Sequence, residues 1–344
     1  MTIVDIAKKA NVSTATVSRV LNGSPNVSDS LRKKVNQIIE ESGYTPNIFA
    51  KGMVKGTSQT IGIICPVVHD PVQARYLSYI ESNLRAYGFN TELLCNMGRS
   101  ADKSAYLDIL LSHRVDAILM IGITMDEIAN PEMFLKVAVH IPILVYNGHF
   151  EGENIYCVYA DEYSAVKDTL RILYNQNYRK TLYIYDTWTF SGYQKFKGFT
   201  DGLDECGLSE NRNLIYRIPG YSPDNRFTIE YEDFISYAKY TMSDIISKNV
   251  EFDSIMTADD VIAVGAIEIL RNNGFNISNI PIIGFNNSVA AECTFPRLTS
   301  ISNMPRYSSK LAVDLLVSVL ENKKAEKIHI TPYGLVERDS FRLK

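Results

Sequence analysis

VDIAKKANVSTATVSRVL, residues 4–21, decides how the first part of the chain folds. Apolar residues recur at helical spacing on both sides of a short break, with Ile3, Ile6, Ala7 and Ala10 before it and Ala15, Val17, Val20 and Leu21 after it. Ser13 sits where a side-chain oxygen would accept from the first free amides of a second helix, and Asn22-Gly23 supplies that helix's end. Helix, tight turn and helix at this spacing make a helix-turn-helix, with Ala7 small where the helices cross and Val12 and Val17 turned inward. Ser13, Thr14, Ala15, Thr16, Ser18 and Arg19 then fall on or near the outer face of the second helix. Short hydroxyl side chains let a helix N-terminus approach phosphates, and an arginine can grip guanine through two donors. Spacing alone is equally compatible with an ordinary helical hairpin whose hydroxyls are merely solvated.

Outward from this stretch, Leu31, Val35, Ile38 and Ile39 mark a third helix that Ser28 can cap. Residues 1–56 hold eight Lys/Arg against four Asp/Glu, and the whole chain carries −4, so a head of +4 is joined to a remainder of −8. A basic head on an acidic body is the electrostatic footprint of a nucleic-acid-binding module attached to a domain with another task. After the turn signal Gly43-Tyr44-Thr45-Pro46, residues 47–55 allow one or two helical turns but contain Gly52 and are too few to be stable alone. They read as a linker whose order is conditional.

Beyond it the texture changes. Apolar runs IGIICPVV (61–68), TELLC (91–95), AILMIGI (117–123), PILVY (142–146), TLYIYD (181–186), SIMT (254–257) and PIIGF (281–285) alternate with amphipathic helical segments. Short continuous apolar strands separated by helices predict parallel sheets covered on both faces. Nearly 290 residues remain after the head, more than one six-stranded sheet needs, so two α/β lobes are expected, with a ligand cleft between them at the carboxyl ends of the strands.

Several classes are disfavoured by what the chain lacks. Its five cysteines are scattered singly and form no C-x-x-C pair, which suits reduced thiols more than zinc or redox chemistry. MTIVDIAKKA has no basic stretch leading into an apolar run, and no segment approaches the ~20 apolar residues of a membrane span, so a cytoplasmic protein with no membrane partner is expected. There is no G-x-S-x-G, no G-x-x-x-x-G-K-[ST], and no G-x-G-x-x-G opening the first α/β unit, while His69, His113, His140, His149 and His329 show no metal spacing. His69-Asp70 is a poor catalytic pair, since adjacent residues rarely point at each other. No enzyme activity, cofactor or metal is expected.

VDIAKKANVSTATVSRVLNGSPNVSDSLRKKVNQIIEESGYTPNIFAKGM matches, almost continuously, the pattern D-[IV]-A…A-x-V-S…T-V-S-R-V-L-N…V-S…[TS]-R-x-x-V…G-Y-x-P-N…A. It resembles the headpiece of the LacI/GalR family of transcriptional regulators. The resemblance implies an all-α helix-turn-helix headpiece over 1–46, a hinge helix and linker over 47–58, and a two-lobed α/β, periplasmic-binding-protein-like body over 59–344 that binds effector and dimerises. It places Thr14, Ala15 and Arg19 at base-reading positions and Ser13, Thr16, Ser18 and Asn22 near backbone phosphates. Ala15 stands where some members carry a larger polar residue, so fewer base edges are read there, although a thymine methyl remains within its chemistry. Met53 falls where the family's hinge inserts an apolar side chain, usually leucine, into the minor groove.

In the body the family's landmarks are VDAILM (115–120), Asp161, Gly198-Phe199, TADDVIAVGAIEIL (257–270), IIGFNN (282–287) and FPRLTSI (295–301). The ending ERDSFRLK carries no leucine heptad, which implies a dimer and not a tetramer, with helices near 75–87 and 103–113 at the dimer face. Effector contacts carried over by position are Asp70, Gln73, Asn147, Lys195, Tyr221, Asp259 and Asn286. Tyr221 would stack on a sugar ring and the others would hydrogen-bond hydroxyls. The chain departs from the family at Lys195 for arginine, Asp259 for asparagine, Asn286 for aspartate and Val67 for an acid; lysine in particular gives up a planar two-donor grip. A secreted solute-binding protein would share the body, but the headpiece and the missing leader argue against it. What is expected is a homodimeric repressor of a carbohydrate-utilisation operon that binds double-stranded operator DNA under control of a sugar or sugar phosphate. The alternative is a regulator whose DNA binding is enhanced by a corepressor or partner protein.

Overall fold

The computed structural model describes residues 1–21, 23–44, 57–95, 100–186, 189–219 and 231–343, and the chain divides into two compact units, Met1–Gln59 and Thr60–Lys344. The first holds three helices, α1 (Ile3–Ala10), α2 (Thr14–Leu21) and α3 (Asp29–Ser42). Thr2 and Asp5 form a reciprocal capping box at the start of α1, and Asn11, in the left-handed region at φ 57°, ends it. At the start of α2 the Thr16 amide donates to Ser13 Oγ at 3.2 Å, the cap expected from the sequence. Ser28 occupies the N-cap position of α3 but its hydroxyl makes no capping bond; Ser28 Oγ lies 3.4 Å from Ser30 Oγ instead. Ile6, Ala7, Ala10, Val17, Val20, Val27 and Val35 form the buried core of this unit. Each larger member contributes about 1.5–3 kcal/mol by leaving water, which is how three helices too short to persist singly hold together.

The second unit has two lobes. The first comprises β1 (Thr60–Cys65), α4 (Pro71–Ala86), β2 (Asn90–Cys95), α5 (Ser100–Ser112), β3 (Ala117–Ile121), α6 (Met125–Ala129), α7 (Glu132–Ala138), β4 (Ile143–Tyr146) and β5 (Ile155–Ala160). The second comprises α8 (Glu162–Asn175), β6 (Thr181–Tyr185), α9 (Phe190–Glu205), β7 (Ile215–Arg217), α10 (Tyr231–Ser247), β8 (Ser254–Thr257), α11 (Asp260–Asn272), β9 (Ile282–Phe285), α12 (Val289–Cys293) and β10 (Thr299–Ser302). The chain then returns to the first lobe with α13 (Pro305–Leu320) and β11 (Ile328–Thr331), and ends in the second with β12 (Gly334–Val336).

Strand order is β2-β1-β3-β4-β5-β11 in one sheet and β7-β6-β8-β9-β10-β12 in the other, parallel throughout except where β12 runs antiparallel to β10. Alternation explains the runs of apolar residues: Ile61, Ile63, Leu119 and Leu144 pack on one face of the first sheet with Ala312, Val313 and Leu316 of α13, while Ile64, Ile118, Met120 and Val145 pack on the other with Leu107, Leu110 and Phe134. A sheet covered on both faces needs both sets apolar. The first lobe also buries an ion pair, Lys103 Nζ to Glu127 Oε2 at 2.8 Å, with both side chains almost wholly enclosed. Seven strands lie within the conspicuous apolar runs, but β5, β7, β10, β11 and β12 do not; β11, with Ile328 and Ile330 exposed and His329 between them, shows why an edge strand leaves a weak signal.

Candidate functional site

In the headpiece, helical geometry sorts the predicted residues by exposure. Val17 and Val20 are buried, while Ser13, Thr14, Ala15 and Arg19 are exposed and Thr16 and Ser18 lie at the margin. The Ser13 and Thr16 hydroxyls sit 3.0 Å apart at the N-terminus of α2, and Arg19 stands in its last turn. One face of one helix thus offers two hydroxyls at its positive end and a guanidinium a turn further on, a set suited to phosphate oxygens and a base edge. Lys8 and Lys9 close α1, and Arg32, Lys33 and Lys34 lie on α3, the two helices that pack with this one. Asn22 and Met53, also expected to meet DNA, lie outside the described residues, as does most of the 47–58 linker.

In the body, the carboxyl ends of the strands carry the predicted effector residues. Asp70 is the N-cap of α4, its Oδ1 accepting from the amides of Val72 at 2.7 Å and Gln73 at 3.3 Å. Asp259 plays the same part for α11, with Oδ1 accepting from the Val261 amide at 2.8 Å and Oδ2 from Asn286 Nδ2 at 2.6 Å. Asn286 itself ends β9 at φ 88°, and Asn147 ends β4 at φ 58°, both in the left-handed region that asparagine tolerates. The Asn147 amide donates to the Val158 carbonyl at 2.8 Å, tying it to the neighbouring strand. Gln73 Oε1 is buried with no hydrogen-bond partner among the described residues. Tyr221 lies outside the described residues.

Lys195 departs from the picture of an open sugar-gripping donor. It is 6% exposed, donates to the Ala258 carbonyl at 3.1 Å, sits 4.0 Å above the Phe285 ring and lies 3.9 Å from Glu162. Its ammonium anchors the base of the second lobe as well as facing the Asp70 field. The carboxyl groups here are held above their ordinary range. Burial raises Asp70 despite its two amide bonds, and burial together with Asp260 and Asp70 raises Asp259 strongly. Asp260, directly behind, is pushed to about 6 by burial, although the Ser300 hydroxyl and the Ser288 amide each donate to it at 2.6 Å.

Three features were not singled out in the sequence. His149, Tyr159 and Phe190 form an aromatic group with ring centroids 4.9–6.0 Å apart, drawn from the ends of β4 and β5 and the start of α9. Such a group offers the flat apolar surface that sugar C–H faces stack on. The Phe190 amide donates to the Ile123 carbonyl at 2.9 Å and Thr124 bridges Thr189, joining the two lobes. Arg75 joins them again, donating to the carbonyls of Asn286 at 2.6 Å and Asn287 at 2.8 Å. An arginine five residues after Asp70 is a signal for such a link, but only the fold shows what lies opposite. Among the described residues there is no group of three or more metal-ligating side chains, and no helix is long and apolar enough to cross a membrane.

Comparison with known proteins agrees with this division. Residues 2–47 match the family model of bacterial regulatory proteins, lacI family, and residues 170–341 match that of a periplasmic binding protein-like domain. An HTH-type transcriptional regulator of Lachnoclostridium phytofermentans is 36% identical over 306 residues, covering 88% of each chain. Among solved structures, the Lac repressor dimer bound to operator and the anti-inducer ONPF superposes with a TM-score of 0.85 at 18% identity, covering 99% of this chain and 98% of that one. The transcriptional regulator CelR in complex with cellobiose gives a TM-score of 0.69 at 21% identity, covering 99% and 100%. At those identities the two structures speak for the fold; the sequence relationship carries the family. The chain belongs to the LacI family of bacterial regulatory proteins and is a transcriptional regulator, not an enzyme, with a helix-turn-helix headpiece and a sugar-binding-like body.

Proposed function

We propose that the chain acts as a homodimeric repressor of a carbohydrate-utilisation operon, with a small sugar-like effector in the interlobe cleft setting its affinity for a pseudo-palindromic operator. The observation that carries this is the pairing of an exposed Ser13/Thr14/Ala15/Arg19 face on α2 with a cleft where polar side chains and an aromatic group converge on strand ends. Twofold protein implies twofold DNA, with α2 of each protomer in the major groove of successive half-sites and Met53 of the linker at the centre. Arg19 reads guanine, and the hydroxyls of Ser13, Thr16 and Ser18, with Asn22, hold the backbone. In the cleft, Asp70, Gln73, Asn147, Asp259 and Asn286 hydrogen-bond ligand hydroxyls, Lys195 supplies one remaining donor, and Tyr221 stacks on the sugar ring. The Lac repressor and CelR complexes, with ONPF and cellobiose bound, support a sugar-like ligand for this fold. A ligand that favours one arrangement of the lobes needs only ~1–3 kcal/mol of differential affinity to change operator binding five- to a hundredfold.

The test is fluorescence anisotropy of an operator fragment from upstream of the gene, titrated with the full chain in the presence of a panel of sugars and sugar phosphates. Release by one compound establishes an inducible repressor, whereas tighter binding supports the corepressor reading. Arg19→Ala should erase discrimination between operator and random DNA, a loss of about 1–3 kcal/mol per half-site; undiminished discrimination would remove Arg19 from base reading.

A further inference from the structure

Cys65 and Cys95 are the last residues of β1 and β2, and the parallel register of those strands sets them directly opposite each other. Residues opposite in a parallel pair point to the same face of the sheet, here the face on which Cys65 packs with Val72 and Tyr76 of α4. Adjacent strands run about 4.8 Å apart, within the roughly 4.4–6.8 Å between Cα atoms that a disulfide spans. The thiols also feel each other. Burial first, and Cys95 next, push the Cys65 thiol up to about 12. Cys157, by contrast, faces Val145 and Ile328 across its sheet, and Cys206 and Cys293 lie outside the strands. No C-x-x-C marks the pair, because the sheet and not the spacing in sequence brings it together.

We infer that Cys65 and Cys95 are a reversible redox pair, closed to a disulfide by a hydroperoxide and reopened by a dithiol. Both lie in one sheet of one protomer, at the strand ends and not on the helices expected at the dimer face. Cys65 is fully enclosed and Cys95 half-buried, so the oxidant meets Cys95 first. The Cys95 thiolate attacks the peroxide, the O–O bond breaks, and the departing alkoxide or hydroxide takes up a proton, leaving a sulfenic acid. The Cys65 sulfur then attacks that sulfur, the S–O bond breaks, and hydroxide leaves with the Cys65 proton as water. Two thiols have lost two electrons, and the hydroperoxide has become an alcohol, or water, plus one more water. A dithiol reverses the bond by exchange and is itself oxidised to a disulfide.

One short turn connects the pair to the effector cleft. In the reduced chain Cys65 Sγ donates to the Val67 carbonyl at 3.3 Å, bracing the turn that leads to Asp70. A disulfide sulfur carries no proton, so closing the bond removes that donor and loosens the turn on which Asp70 and Gln73 stand. This connection rests on the effector reading of the cleft; the disulfide does not.

Peptide mapping of the full chain tests the bond, with hydrogen peroxide as the oxidant and alkylation under denaturing conditions before and after dithiothreitol. The unmutated chain should yield a peptide pair joining Cys65 to Cys95, which dithiothreitol returns to two free thiols, while Cys157 stays free throughout. In Cys95→Ser the oxidation of Cys65 should slow at least tenfold, and in Cys65→Ala the Cys95 sulfur should pass on to sulfinic acid, which dithiothreitol does not restore. A Cys95 that reaches sulfinic acid in the unmutated chain while Cys65 stays free overturns the pair. So does either cysteine linked chiefly to another, or no oxidation of either; these readings need no variant to fold. Amide exchange in peptides spanning residues 66–73 should quicken in the oxidised chain and return with dithiothreitol. Unchanged or slower exchange there overturns the connection to the turn. None of these measurements uses operator or effector, so failure of the regulator reading would show separately, in the anisotropy titration.

Discussion

Asp260 makes the stability of the body depend on pH in a direction opposite to most paired carboxylates. Its side chain is fully buried, and burial holds its carboxyl near 6 when an unfolded aspartate sits near 3.8. The folded state therefore binds a proton that the unfolded chain has already released. The contribution is nil below the unfolded value, becomes a growing penalty as pH rises through the window from 3.8 to about 6, and is constant above it. At neutral pH the penalty is about 3 kcal/mol, of which about 1.3 kcal/mol accrues between pH 5 and pH 7. Asp259, raised in part by the charge on Asp260, shifts the same way. Carboxyls held low by surface partners, such as Asp201, Glu251 and Asp339, act in the other direction, so the wild-type melting curve alone is ambiguous. Comparison with Asp260→Asn removes that ambiguity, because the surface carboxyls are common to both proteins. An asparagine keeps the shape and can still accept from the Ser288 amide. Thermal melting by circular dichroism from pH 5 to pH 7 should show the body's transition falling by roughly 2–4 °C more in the wild type than in the variant. Parallel curves for the two proteins would refute the assignment of a raised proton affinity to this carboxyl.

The same carboxyl makes Gly284 irreplaceable. A Cβ there would lie 2.2 Å from Asp260 Oδ1 and 2.7 Å from Leu298 Cδ2, so Gly284→Ala should cost roughly 1–3 kcal/mol by overpacking, read as a lowered urea midpoint; an unchanged midpoint would mean that the pinned carboxylate moves freely. Lys103→Met leaves Glu127 buried beside an empty place and should cost about 3 kcal/mol or more, while Lys103→Met with Glu127→Met recovers most of it. If the double variant is as unstable as the single one in urea, the pair is not the unit of destabilisation.

The resemblance and the residue spacing reached the headpiece through a local code. Val17 and Val20 inward with Thr14, Ala15 and Arg19 outward follows from a 3.6-residue period and nothing more distant, so eighteen residues of sequence suffice to orient that face. The central strands were legible for a similar reason, since Ile61 to Cys65 must be apolar on both faces of a covered sheet. Strands β11 and β12 were not, because each sits at a sheet edge where one side of the pattern is released. The cleft shows the limit most clearly. Position identifies Asp70, Asp259 and Asn286 as strand-end polar residues, but the protonation of Asp259 depends on burial and on Asp260 and Asp70 across the fold, and the aspartate and asparagine that exchange places relative to the family meet each other at 2.6 Å. Such an exchange keeps a donor facing an acceptor while turning the pair around, so the contact survives and the groups presented to a ligand change. That asymmetry is invisible when each position is compared singly, and it bears directly on which sugar-like molecule the cleft accepts: restoring the family order with Asp259→Asn and Asn286→Asp should preserve the melting temperature and alter effector preference, whereas loss of folding would show that Asp260 and Arg75 are built around the order found here.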